Sequence, residues 1–149
     1  MSNILRVSEA ASLAIHASLI MAGSAGESVG NRQMATLMGA SEAHLAKVLQ
    51  RLARVGLVKS ARGPKGGFVL AKAPTDITIL EIYEAIEGPL GAVTCLLGRP
   101  VCGGGDKCFM GDLLHDLGGR IKAHMGRMKL SALVANGWGK DAVSPKNRS

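Results

Sequence analysis

Apolar positions along the chain change period several times, and each change marks an element. From Val7 to Met21 they crowd together, with Ala11, Leu13, Ala14, Ala17, Ile20 and Met21 available for packing and Ser12, His16 and Ser18 interrupting them at intervals that fit a partly polar helix face. A second, shorter helix is predicted over Asn31 to Met38, with Asn31 as N-cap and Met34, Ala35 and Leu37 turned inward. Gly39 supplies a turn, and Ser41 caps a third helix whose inward face is Leu45, Val48, Leu49 and Leu52. The period then shortens. Leu57 to Ala61 and Phe68 to Ala71 read as two strands joined by RGPKGG, a tip too long for a two-residue turn. Helical spacing returns at Ile79, Ile82, Tyr83 and Ile86, opened by the T-x-x-E capping box of Thr78 and Glu81 and stopped by Gly88 and Pro89. The longest predicted helix runs from about Phe109 to Met128, with Met110, Leu113, Leu114, Leu117, Ile121, His124, Met125 and Met128 forming a seam. Leu130 to Val134 reads as a short last helix and Gly139 to Ser149 as a disordered tail.

The second and third helices, joined through Gly39 and Ala40, have helix-turn-helix proportions. With Leu45, Val48, Leu49 and Leu52 facing inward, His44, Lys47 and Arg51 project together on the opposite side. Charge sharpens this picture. The chain carries a net charge of +7 with pI near 9.7, and no Asp or Glu occurs between Ala43 and Ala73. In the same stretch Lys47, Arg51, Arg54, Lys59, Arg62, Lys65 and Lys72 are all cationic. Such clustering points to a polyanion, nucleic acid before membrane. The contact set expected for double-stranded DNA is Ser41, His44, Lys47 and Arg51 on the helix, with Lys59, Arg62, Pro64, Lys65, Gly66 and Gly67 on the hairpin. Arg62 and Lys65 stand at the hairpin tip, where they can reach phosphates or a minor groove, and Gly66 and Gly67 would relax the backbone there.

Composition bounds the rest. At 47% apolar and 3% aromatic residues, the core must be built from Leu, Ile, Val, Met and Ala. The first apolar run is too short to span a bilayer and has Glu9 at its head, so a cytoplasmic protein is expected, with no membrane partner. No Gly-rich dinucleotide turn, nucleophile–base pair or carboxylate constellation is visible, and GGGDK lacks the phosphate-loop pattern. The chain therefore does not read as an enzyme, and a small redox or electron-transfer protein is the less favoured alternative. Chemistry concentrates instead in the three cysteines, Cys95, Cys102 and Cys108, in the Gly-rich segment CLLGRPVCGGGDKC. An odd number in one loop argues for metal or redox chemistry over a disulfide framework. Their C-x6-C-x5-C spacing fits no paired zinc-finger pattern, leaving a metal or iron–sulphur cluster, a thiol switch or inert cysteines.

Two motifs carry a resemblance. Arg62, Gly63, Pro64, Lys65, Gly66, Gly67 and Phe68 match an R-G-P-x-G-G-[FY] wing, and Ile77, Thr78, Glu81, Ile82, Ala85, Glu87 and Gly88 match I-T-x-x-[ED]-I-x-x-A-x-E-G. The chain resembles the winged-helix regulator family that includes IscR and NsrR, closely from Val7 to Gly88 and loosely beyond. The resemblance implies a mainly α fold with a small β-wing: a winged helix-turn-helix domain (residues 1–90), a cysteine-containing sensor loop (91–108), a dimerisation helix with a short terminal helix (109–136) and a disordered tail (137–149). It implies a homodimeric transcription regulator on a pseudo-palindromic operator, controlled by an iron–sulphur cluster that senses redox state, nitric oxide or iron–sulphur status. Cys95, Cys102 and Cys108 would hold the cluster, of [4Fe–4S] or [2Fe–2S] type; zinc or free thiols on the same fold are the alternative. The first cysteine interval is one residue longer than the family's usual five, and the family's histidine position is Gly111. Glu9, Ser12, His16 and His115 are the candidates for a fourth ligand.

Overall fold

A computed structural model describes residues 5, 7–90 and 110–139. Helix α1 (Glu9–Gly23) starts two residues later than its apolar pattern, because the Ser8 hydroxyl accepts a hydrogen bond from the Ala11 amide at 3.1 Å and so caps it. Ala11, Leu13, Ala14, Ala17, Leu19, Ile20 and Met21 are all buried. So is Ser18, whose hydroxyl donates to the Ala14 carbonyl at 2.7 Å. Burial this broad makes α1 the central element of the core, with most of the other helices packed against it.

Helix α2 (Asn31–Met38) has the predicted bounds but a different cap. Gly30 occupies the N-cap without a side-chain bond, and Asn31 is the first helical residue. Its amide Nδ2 reaches across to the Glu42 carbonyl at 2.9 Å, so Asn31 ties α2 to the next helix. Gly39 ends α2 in the left-handed region at φ 62°, as predicted. Helix α3 (Glu42–Arg54) is capped by Ser41, and Leu45, Val48, Leu49 and Leu52 are at most 1% exposed. Through them α3 joins the common core, packed beside α1 and α2.

Strands β1 (Val58–Ala61) and β2 (Gly67–Leu70) pair antiparallel, Val58 opposite Leu70 and Ala61 opposite Gly67. A third segment joins them. Val29 and Phe68 exchange two backbone hydrogen bonds of 3.0 and 2.9 Å, so the wing carries a one-residue extra strand from the α1–α2 connection. A 3-10 turn (Pro74–Asp76) leads into helix α4 (Ile79–Glu87), which starts with the full capping box. Ile79, Ile82, Tyr83 and Ile86 are buried as their spacing predicts.

The box sets a pH dependence. Burial pushes the Glu81 pKa up, but the Thr78 backbone amide, the Lys72 ammonium at 3.2 Å and the Thr78 hydroxyl outweigh it, and the carboxyl titrates below its ordinary 4.5. A group depressed in this way stabilises the fold above that value and loses its contribution as the pH falls through it. In thermal denaturation, the stability gap between wild type and Glu81→Gln is expected to narrow as the pH drops below 4.5. A gap that does not change between pH 7 and 3 would contradict this.

Helix α5 (Gly111–Arg127) runs into helix α6 (Leu130–Ala135). Its seam divides. Ile121, Met125 and Met128 pack on the common core, whereas Leu113 is 50% exposed and His124 is also exposed. The chain then folds back: Ile79 donates to the Met128 carbonyl at 2.9 Å, Leu130 donates to the Ile77 carbonyl at 3.0 Å, and Leu130 is fully buried. The architecture is thus mainly helical with a small β-wing. Cys95, Cys102 and Cys108, the predicted start of the long helix at Phe109, and the tail beyond Gly139 lie outside the described residues.

Candidate nucleic-acid interface

Three α3 positions predicted to face DNA share a side away from its core residues: His44, Lys47 and Arg51, at helical spacings of three and four, while the fourth, Ser41, stands at the N-cap. Ser41, Lys47 and Arg51 are exposed and His44 is half-buried. Their surroundings differ. The Ser41 hydroxyl is engaged as the cap, accepting from the His44 amide at 3.3 Å. His44 Nδ1 lies 3.9 Å from Glu9 Oε2 on α1, an ion pair whenever the imidazole is protonated. Arg51 Nη2 donates to the backbone carbonyl of Ile86 in the last turn of α4. Lys47 has no ion pair among the described residues.

On the wing, Lys59, Arg62, Pro64 and Lys65 are exposed. The tip is closed by the Gly66 amide donating to the Gly63 carbonyl at 2.8 Å, with Gly63 at φ 113°, a conformation that favours glycine. The Ser28 hydroxyl donates to the Lys65 carbonyl, fastening the tip to the α1–α2 connection. Lys59 borders a shallow cleft of about 360 Å³ with Lys72, Glu27 and the end of α1.

The wing glycines have an internal reason to be glycine. A Cβ on Gly67 would sit 2.5 Å from the Val29 carbonyl oxygen, and one on Gly66 would sit 2.9 Å from the Gly63 oxygen. Close approach of backbone to backbone within the wing is by itself enough to require glycine at both positions.

The fourth-ligand candidates are also placed. Glu9, Ser12 and His16 share one face of α1, and His16 Nδ1 lies 2.7 Å from the Ser12 carbonyl oxygen. His115 is exposed on α5. Among the described residues no three His, Asp or Glu side chains come together as a metal site. Sequence reasoning missed Ser28 and Val29, the supports of the wing, because a single bridged residue leaves no periodicity to read.

A family model described as Rrf2, iron-dependent transcriptional regulator, matches residues 7–136. Among curated proteins, the transcriptional regulator IscR of Photorhabdus laumondii subsp. laumondii is 38% identical over 98 residues, covering 66% of this chain and 59% of that protein. IscR of Escherichia coli O1:K1 / APEC is 37% identical over 98 residues, covering 66% and 60%. The match thus spans about three fifths of the length of these relatives. In fold, the chain is similar to CymR, the global cysteine regulator of B. subtilis, with TM-score 0.76 and 24% identity over 89% of this chain and 98% of that one. It is similar also to T. potens IscR, with TM-score 0.71 and 25% identity over 89% and 88%. With the helix-turn-helix, the wing and the capped α4 in one continuous match, the chain belongs to the Rrf2 family of transcriptional regulators, which are not enzymes.

Proposed function

We propose that the protein is a homodimeric, cytoplasmic, sequence-specific DNA-binding regulator whose affinity is set by an iron–sulphur cluster on Cys95, Cys102 and Cys108. The observation that carries the DNA-binding part is the acid-free stretch from His44 to Lys72, folded so that Lys47, Arg62 and Lys65 are all exposed on α3 and the wing. In a symmetric dimer each α3 would enter a major groove and each wing an adjacent minor groove, which calls for a pseudo-palindromic operator. His44 and Lys47 are the base-reading candidates, and Ala43 and Ala46 offer no side-chain hydrogen bonds, so DNA shape supplies part of the selectivity. The half-exposed Leu113 on α5 supports pairing of the long helices.

The donor set fits the cluster in its chemistry. Three thiolates are soft ligands suited to iron–sulphur centres or zinc, and the described residues offer no competing three-ligand group. Glu9, Ser12 or His16 on α1, or His115 on α5, would complete the coordination. A bound cluster supplies a redox-active centre that reacts with oxygen or nitric oxide.

The test has two arms. Protein incubated anaerobically with iron and sulfide is expected to develop a visible charge-transfer band, and loaded and unloaded protein should differ in shifting DNA from upstream of its own gene. A protein that stays colourless or takes up only zinc refutes the cluster, and binding that ignores salt refutes the DNA interface.

A further inference from the structure

The last turn of α4 is a junction. Its Ile86 carbonyl accepts the Arg51 guanidinium from α3. Its Glu87 carboxylate accepts the Ser8 amide, from the residue that caps α1, at 3.1 Å. Its Glu84 carboxylate accepts the Leu90 amide at 3.0 Å, and the Glu84 carbonyl accepts the Gly88 amide at 2.9 Å. One turn of helix is thereby fastened to α3, to α1 and to the chain that leaves it, and that chain leads directly into the cysteine segment.

The electrostatics of this turn explain why an arginine is needed. The C-terminal end of a helix carries partial negative charge on its unpaired carbonyls, and cations there are stabilising. Helix α4 has no basic residue in its last turn and instead carries Glu84 and Glu87 there. Arg51 brings in the missing cation from the neighbouring helix and satisfies one of the open carbonyls. A lysine-like point charge would neutralise the turn, but the guanidinium also fixes direction, since its donors lie in a rigid plane.

We propose that Arg51 is a positioning residue: it couples the angle of the DNA-reading helix α3 to the end of α4, so that a change in the cysteine segment reaches DNA through this bond. The coupling to the cysteines rests on the function proposed above; the tie between α3 and α4 does not. Arg51 then differs from Lys47 on the same face. Lys47 acts on DNA directly, whereas Arg51 acts through Ile86.

Salt titrations of DNA binding separate the two roles. Removing a cation that neutralises a phosphate lowers the slope of log affinity against log salt by about one, whereas loss of positioning weakens binding at unchanged slope. With DNA from upstream of its own gene, Arg51→Ala is expected to bind about ten-fold more weakly with the wild-type slope, while Lys47→Ala lowers the slope. Arg51→Lys should recover part of the loss. The affinity ratio between iron–sulphide-loaded and unloaded protein should fall toward one in Arg51→Ala. Amide exchange over residues 84–90 should quicken in that variant, with α1 unaffected.

A reduced salt slope in Arg51→Ala overturns the proposal, because it makes Arg51 a phosphate ligand. Unchanged exchange at residues 84–90 overturns it as well, whatever the DNA result. If the wild type binds no DNA, or binds equally when loaded and unloaded, the proposed function fails, and the exchange measurement then decides the tie by itself.

Discussion

Gly67→Ala is expected to cost about 2–6 kcal/mol of stability and to weaken DNA binding, the largest effect of any single methyl group added to the wing. The added Cβ would lie 2.5 Å from the Val29 carbonyl oxygen, 2.6 Å from its carbon and 2.9 Å from the Gly30 nitrogen. All three are backbone atoms, so no side chain can rotate to make room. The chain has two ways out. Either the Val29–Phe68 bridge opens and both of its hydrogen bonds break, or β2 shifts against β1 and the paired register is strained. The first route removes about 0.5–1.5 kcal/mol for each bond, and overpacking adds about 1–3 kcal/mol. Both routes move the tip, because the Ser28 hydroxyl that holds the Lys65 carbonyl belongs to the same connection as Val29. Thermal denaturation and a DNA titration of the same variant check the two halves together. A Gly67→Ala protein with wild-type melting and affinity would mean that Val29 is no part of the wing in solution.

This dependence on Val29 marks the boundary of what could be read from residues in order. The inward face of α3, the Ser41 cap and the Thr78–Glu81 box are all visible in the sequence because their partners lie within four positions, where helical geometry fixes who meets whom. The β1–β2 hairpin is visible because its two strands are joined by a single short tip. Interactions set by tertiary packing have no such local sign. Asn31 is a reasonable N-cap by type, yet the Val29–Phe68 bridge brings the chain in extended at Gly30 and moves the cap one residue back. Arg51 sits on the polar face of α3 beside Lys47 and looks equivalent to it. Only the arrival of α4 beside that helix distinguishes them. The cysteines stand out by type and spacing, but their ligand partners depend on which helices come near, and spacing does not encode that.

The salt dependence of DNA binding should be steep, and its size follows from which cations are available. Lys47, Arg62 and Lys65 are exposed, and none makes an ion pair with another described residue. Arg51 is engaged by Ile86, and Lys59 borders the cleft beside Glu27 and Lys72, so neither enters the count. Three cations per subunit become six in the proposed dimer. Releasing the counterions of six phosphates gives a slope of about −5 in log affinity against log salt, so affinity is expected to fall about a thousand-fold between 50 and 200 mM salt. Arg62→Ala should flatten that slope by about two in the dimer and weaken specific binding by about 1–3 kcal/mol. Titration of wild type and variant on one duplex across this range checks both numbers. A wild-type slope near −2.5 would fit one subunit on DNA and refute the two-fold arrangement. A slope near zero would place the protein's partner among uncharged surfaces, where the acid-free face of α3 and the wing would have no electrostatic reason to exist.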